Sequence, residues 1–294
     1  MKPMTQPSDV PSAPLPGGGQ LPLVGLGTWK LRGDEARSAV TSALAAGYRH
    51  IDTATMYGNE EAIGQALAAD DVDRADVFIT TKLRPSDSDH AEKILRRSLR
   101  ALRIDRLDLW LLHWPPHRPT ASHQAWNELR RLRDAGLTRA IGVSNYSLAQ
   151  IDDLIKATGE APAVNQVHWD PLRYSVGLLD GHRERRIVME GYSPLKDVRL
   201  DNPTLAEIAA AHQVSAAQVI LRWHLAHEIV VIPKSSHAER IAANIDLFRF
   251  DLSDAEVTAI DALSRLAAPP WPRPRCPTTS NGPAPTAQPA HQNS

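Results

Sequence analysis

A chain of 294 residues with 33 Lys plus Arg against 34 Asp plus Glu has a formal net charge of −1. That balance gives no reason to expect nucleic acid or an anionic membrane as a partner. The lone cysteine, Cys276, excludes an internal disulfide, and no run approaches the roughly 18 apolar residues of a membrane span. The N-terminal stretch has no apolar signal core, so a cytoplasmic protein is expected.

Residues 1–19 are rich in Pro, Gly and Ser and are expected to form a flexible N-terminal segment. Residues 20–267 alternate between two textures. The apolar run LVGLG is followed by DEARSAVTSALAAG, and YRHID by NEEAIGQALAA. DVFITTKL is followed by DHAEKILRRSLRAL, LDLWLLHW by SHQAWNELRRLRDAG, and TRAIGVSN by SLAQIDDLIKATG. The second member of each pair has amphipathic helical spacing. Gly47, Gly136 and Gly159 stand where helices should close. Three more runs, AVNQVHW, RIVMEGYSPL and IVVIPKSS, bring the apolar segments to eight. Eight strand–helix units predict an α/β fold of the (β/α)8 TIM-barrel type, with parallel strands and the active site at the C-terminal face. A doubly wound open sheet is the rival. Its phosphate-binding turn needs a third glycine, which Gly25-Leu26-Gly27-Thr28-Trp29 does not supply. Residues 268–294 form a Pro-rich tail, expected to be disordered.

The strand ends carry the chemistry. Asp52 closes the second run, with Tyr57 in the loop beyond. Lys82 ends the third, and His113 with Trp114 the fourth. Ser144 and Asn145 end the fifth, Gln166 lies on the sixth, Tyr192 and Ser193 end the seventh, and Lys234, Ser235 and Ser236 the eighth. Each has an ordinary alternative: a solvated lysine, a core histidine, an aspartate capping a helix, a loop tyrosine. Together they place an acid, a phenol, an ammonium and an imidazole around one barrel mouth. A phenol holds its proton at pH 7 and can give it to a developing alkoxide. A nearby ammonium is expected to lower the tyrosine pKa, and an imidazole can orient a carbonyl oxygen. No nucleophile is needed if a cofactor provides hydride.

At these residues the chain resembles the aldo-keto reductase family, in particular its bacterial 2,5-diketo-D-gluconate reductase-like members. The resemblance spans Leu21 to Leu266 and rests on LPLVGLGTWKL, GYRHIDTATMYGNE, LLHWP, IGVSNY, VNQVHW, GYSPL and IPKSSHAERIAAN. It implies NADPH-dependent reduction of aldehydes or ketones, with NADPH/NADP+ as cofactor. Tyr57 would be the general acid, Asp52 and Lys82 its tuning pair, and His113 the orienting group. It implies that Ser144, Asn145 and Gln166 hold the nicotinamide carboxamide and that Tyr192 stacks on the ring. Lys234, Ser235 and Arg240 would cradle the adenosine 2′-phosphate, with Asn244 near the adenine. Thr28, Trp29, Asp52, Ser193, Leu195 and Ser236 would complete the cofactor contacts. Trp29, Tyr57, His113 and Trp114 would line the substrate pocket. A monomer that needs no metal is expected.

The sequence departs from the family pattern in four places, one of them the C-terminal segment, which in the family often folds over the pocket and here is Pro-rich. Ala243 stands where a glutamate often contacts the adenine side. Arg186 replaces a common glycine before the seventh strand, so a different turn is expected there. The loop from Lys196 to Pro203 is short, which implies a loose clasp on the cofactor. Other functions remain open on this reading. Lys82 could form a Schiff base in an aldolase-like enzyme. The chain could be a non-catalytic NADP(H)-binding regulatory subunit. A zinc hydrolase using His113 and His117 is disfavoured by the intervening Trp-Pro-Pro.

Overall fold

The computed structural model describes residues 10–116 and 118–266. It opens with an antiparallel hairpin of β1 (Ser12–Pro14) and β2 (Gln20–Pro22), in which Ser12 faces Pro22. Eight strands follow: β3 (Leu26–Gly27), β4 (His50–Asp52), β5 (Phe78–Leu83), β6 (Leu107–Leu112), β7 (Thr138–Ser144), β8 (Val164–His168), β9 (Val188–Tyr192) and β10 (Val230–Ile232). They lie in sequence order in one sheet, every neighbour parallel. A parallel bridge between Val24 and Val231 brings the two ends together. Gly27 N donates to Pro233 O at 3.1 Å across the same seam. A side chain on Gly27 would come within 2.7 Å of the Ile232 carbonyl oxygen, so the seam requires glycine there. The expected (β/α)8 barrel is what the chain forms.

The helices wrap the outside. They are α1 (Gly33–Ala45), α2 (Glu60–Ala69), α3 (Ala91–Leu102), α4 (Pro119–Asp134), α5 (Leu148–Thr158), α6 (Val176–Glu184), α7 (Pro203–His212), α8 (Ala216–Ala226), α9 (Ala238–Ile245) and α10 (Asp254–Asp261). Three of them begin with reciprocal caps. Ser147, Ser215 and Ser253 each accept from the backbone three residues on, and Gln150, Gln218 and Glu256 reach back. Such caps contribute about 1 kcal/mol apiece by satisfying orphan N–H groups. Among the described residues no helix is long and apolar enough to cross a membrane.

Strand β6 shows why its sequence is apolar apart from Asp108. Leu109 and Leu111 face the barrel interior, while Trp110 and Leu112 pack among the helices. A parallel strand covered on both faces has no polar side to show. The interior cluster also takes in Leu15 and Leu21 of the hairpin, which pack with Phe78, Val164 and Val230 at the strand starts. The hairpin therefore plugs the N-terminal end of the barrel. This corrects the reading of residues 1–19 as a flexible segment: the part from residue 12 is folded, because burial of Leu15 and the bonds Leu15 N to Gly19 O and Leu23 N to Pro11 O hold it. The Pro-rich tail from residue 268 lies outside the described residues.

Gly47, Gly136 and Gly159 take φ of 97°, 79° and 75°, as helix-closing glycines should. Arg186 also has a positive φ, 55°. The turn before β9 thus keeps the left-handed backbone a glycine would adopt, and the expectation of a different turn is not met. Arginine carries a strain there of roughly 1 kcal/mol.

Candidate active site

Strand register sets the centre of the mouth. Asp52 is the last residue of β4, in register with Thr80 of β5, so Lys82 projects two residues further along the neighbouring strand. Same-face residues on adjacent strands meet, and Lys82 Nζ lies 2.6 Å from Asp52 Oδ1. The ammonium also donates to Thr53 O at 2.9 Å. Both side chains are buried.

Tyr57 ends a short 3-10 helix, Thr55–Tyr57, pinned by Thr55 Oγ1 donating to Lys82 O at 2.9 Å. Lys82 Nζ sits 5.3 Å from the centre of the Tyr57 ring. His113 follows β6, its N–H donating to Leu83 O at 2.9 Å. Its ring stands edge-on to Tyr57 at 5.8 Å and stacks on Trp114 at 3.9 Å. The acid, ammonium, phenol and imidazole expected at three strand ends do converge. Trp29 stands exposed near this mouth with Lys30 Nζ 4.5 Å over its ring.

The charges follow from burial. Burial raises the Tyr57 phenol above its ordinary range, and Lys82 pulls in the other direction without overcoming it. This corrects the expectation of a lowered tyrosine pKa: taking the phenolate out of water outweighs the neighbouring ammonium. Burial would lower Lys82, but Asp52 and then Tyr57 more than offset it, so the ammonium stays charged. Burial pushes Asp52 up against the pull of Lys82. His113 is held well below its ordinary value by burial and by Lys82, which makes it a neutral imidazole at pH 7. The 2.6 Å pairing of Lys82 with a carboxylate also removes the free amine that Schiff-base chemistry needs.

A second group surrounds the first. Ser144 Oγ donates to Gln166 O at 2.8 Å, and Asn145 N donates to the same oxygen at 2.9 Å. Asn145 Nδ2 donates to His113 O at 3.1 Å and to Ser144 Oγ at 3.0 Å. Asn145 Oδ1 accepts from Tyr192 Oη at 2.8 Å. Gln166 Nε2 donates to Asp52 Oδ2 at 2.8 Å and to Glu190 Oε2 at 3.0 Å. Thr28 is buried, with Oγ1 donating to Asp52 O at 2.9 Å. The residues expected at the nicotinamide thus form one hydrogen-bonded shell with Asp52 and His113.

The eighth strand leads to a different environment. Lys234 and Arg240 are exposed, and neither makes a salt bridge among the described residues. Ser235 is buried and accepts from His237 N at 3.1 Å, and Asn244 is buried on α9. Ser236 lies beside them, half-buried. Ser193 has φ of 54° and accepts from Lys196 N at 3.2 Å, while Leu195 packs against the core.

Three features escaped sequence reading. Glu190 is a carboxylic acid buried inside β9, and burial, then the charge of Asp52, pushes its pKa up to about 8. Glu in the apolar run RIVMEGYSPL was the available signal. His50, buried in β4, lies 3.6 Å from Glu190 Oε1, and burial lowers its pKa to about 3. His168 stacks on Tyr192 at 5.3 Å and sits 3.3 Å from Asp170, whose carboxylate also pairs with Arg173. Arg173 reaches Asp197 at 2.6 Å, which anchors the short loop after β9. His168, Asp170 and Asp197 lie close enough to share an ion, but Arg173 already supplies a cation to both carboxylates. His117 lies outside the described residues.

The family model "Aldo/keto reductase family" matches residues 23–265. An aldo-keto reductase from Mycolicibacterium vanbaalenii is 41% identical, covering 88% of this chain and 94% of its own length. A morphine 6-dehydrogenase from Pseudomonas putida is 42% identical over 85% of this chain and 90% of its own, and a methylglyoxal reductase from Yersinia pestis 40% identical over 83% and 89%. A crystal structure of an aldo/keto reductase from Brucella melitensis superposes with a TM-score of 0.84 at 42% identity, covering 86% of this chain and 99% of the other. An aldo-keto reductase from Bombyx mori in complex with NADP gives 0.81 at 35% identity, over 86% and 93%. With a barrel of this topology, a tyrosine–lysine–aspartate–histidine mouth and a family match over most of its length, the chain belongs to the aldo/keto reductase family.

Proposed function

We propose that the protein is an NADPH-dependent reductase of aldehydes or ketones, with Tyr57 as general acid. The observation that carries this is the Tyr57 phenol beside the buried Lys82–Asp52 pair, with a neutral His113 edge-on to it. The residues around it fit a nicotinamide dinucleotide phosphate. Gln166, Asn145 and Ser144 offer amide and hydroxyl groups suited to a carboxamide. Tyr192 offers an aromatic face, and Lys234 and Arg240 offer exposed cations suited to a 2′-phosphate. When bound, NADPH supplies the hydride that the carbonyl carbon takes up.

The chain's own residues handle the proton. The neutral imidazole of His113 donates a hydrogen bond to the carbonyl oxygen and orients it. Tyr57 gives its proton to that oxygen as negative charge develops, and an alcohol results. The phenolate left behind is stabilised by the ammonium of Lys82, which Asp52 holds in place. Water returns the proton. Asp52, Tyr57, Lys82 and His113 all come from one barrel, so a monomer is the proposed working form.

The names of the relatives point to 2-oxoaldehydes and to ring ketones and alcohols as first substrates to try. NADPH absorbance would be followed over methylglyoxal, keto sugars, ketoesters and simple aldehydes. Tyr57→Phe should lower turnover by about 10²–10⁴-fold while NADPH binding persists. Near-normal turnover in that variant would remove Tyr57 from the role. Cofactor binding without turnover on any carbonyl in the wild type would favour the non-catalytic regulatory reading.

A further inference from the structure

Glu190 has no part in the chemistry above, yet it is bonded to Gln166, which in turn bonds the Asp52 partner of Lys82. An amide nitrogen has two N–H groups. Gln166 Nε2 uses both, one on Asp52 Oδ2 at 2.8 Å and one on Glu190 Oε2 at 3.0 Å. The reverse orientation would set the amide oxygen against an oxygen of the Asp52 carboxylate that pairs with Lys82. Gln166 Oε1 makes no hydrogen bond among the described residues. The neighbouring amide is more fully occupied. Asn145 Oδ1 already accepts from Tyr192 Oη, and Asn145 Nδ2 is spent on His113 O and Ser144 Oγ. Of the two amide oxygens, Gln166 Oε1 is therefore the one with no partner among the described residues.

We propose that Glu190 is a positioning residue: together with Asp52 it pins the Gln166 amide so that its oxygen, not its NH2, meets the NH2 of a ligand carboxamide. Asp52 alone would fix one N–H and leave the other unpaired in a buried site. Glu190 supplies the second anchor from the next strand, where β8 and β9 place Gln166 directly opposite Glu190. The inference rests on the reading of this site as the nicotinamide pocket.

The test compares two dinucleotides that differ at one group. NADP+ carries a carboxamide, whereas its 3-acetylpyridine analogue carries a methyl ketone and lacks the N–H donor. Wild type should bind NADP+ more tightly than the analogue. In Glu190→Met that preference should shrink by roughly three- to tenfold, the equivalent of one neutral hydrogen bond. Glu190→Gln keeps an acceptor oxygen at the same reach and should retain the preference. Binding of 2′,5′-ADP, which has no nicotinamide half, should be the same in all three. Glu190→Ala replaces the methionine variant if the latter does not fold. A wild-type ratio near one, or a ratio within twofold of wild type in Glu190→Met, would overturn the proposal. So would an equal loss for 2′,5′-ADP, because Glu190 would then act on the fold as a whole. Failure of wild type to bind NADP+ at all would instead remove the cofactor reading beneath it.

Discussion

Removing the ammonium at position 82 separates what holds the site together from what it does. Lys82 Nζ and Asp52 Oδ1 are 2.6 Å apart, and both side chains are buried. At an effective dielectric of about 20, that separation corresponds to about 6 kcal/mol of gross attraction, much of it offset by desolvation of the two groups. Deleting one partner leaves the other's desolvation uncompensated, which typically costs about 3–5 kcal/mol. Gln166 Nε2 still donates to Asp52 Oδ2 at 2.8 Å, so Lys82→Met should fall at the low end, about 3 kcal/mol. Adding Asp52→Asn removes the stranded charge and keeps an acceptor for Gln166. The double variant should recover most of that stability. Turnover should not recover, because neither variant gives the Tyr57 phenolate a cation, and a loss of about 10²–10⁴-fold is expected in both. Urea unfolding followed by tryptophan fluorescence would report stability, and NADPH absorbance would report turnover. A double variant no more stable than Lys82→Met would refute the ion-pair account. A double variant with restored turnover would refute the role of Lys82 toward Tyr57.

Arg240→Ala should weaken NADPH binding roughly ten- to a hundredfold and NADH much less, since the exposed guanidinium has only the 2′-phosphate to discriminate; equal losses in fluorescence titrations would place the phosphate elsewhere. Glu190 titrates near 8 in the fold, pushed up by burial and then Asp52, against an ordinary value of 4.5. The folded state therefore keeps a proton that the unfolded chain releases, so this group's contribution is lost as pH rises between those values, by up to about 1.4 kcal/mol per unit. Glu190→Gln cannot titrate and should gain stability over wild type from pH 5 to 8 in urea melts; parallel curves would contradict this. Gly64→Ala lies in mid-helix, where the change usually gains about 1 kcal/mol. Here the new Cβ would collide with the Ala101 carbonyl oxygen and lie 2.8 Å from Leu102 Cα, so a loss of about 1–3 kcal/mol is expected in thermal unfolding.

The barrel was legible because its determinants are local. Apolar runs of strand length, amphipathic stretches between them and glycines at helix ends report their structure within a few residues, and β3 to β10 follow them. Asp52, Lys82 and His113 were legible as a group for the same reason, since parallel strands must end at one face. The N-terminal hairpin was not. Its Pro and Gly content reads as disorder, and only the open barrel end it plugs makes burial of Leu15 and Leu21 favourable. The sign of the Tyr57 shift was a tertiary matter as well, because sequence shows the neighbouring lysine but not the water excluded from the phenol. The bond from Gln166 to Asp52 joins residues 114 positions apart, and Glu190 and His50 sit within runs that read as plain strand. Which buried polar groups touch depends on strand register and on which strands face one another across the barrel, and those are set only when the sheet closes.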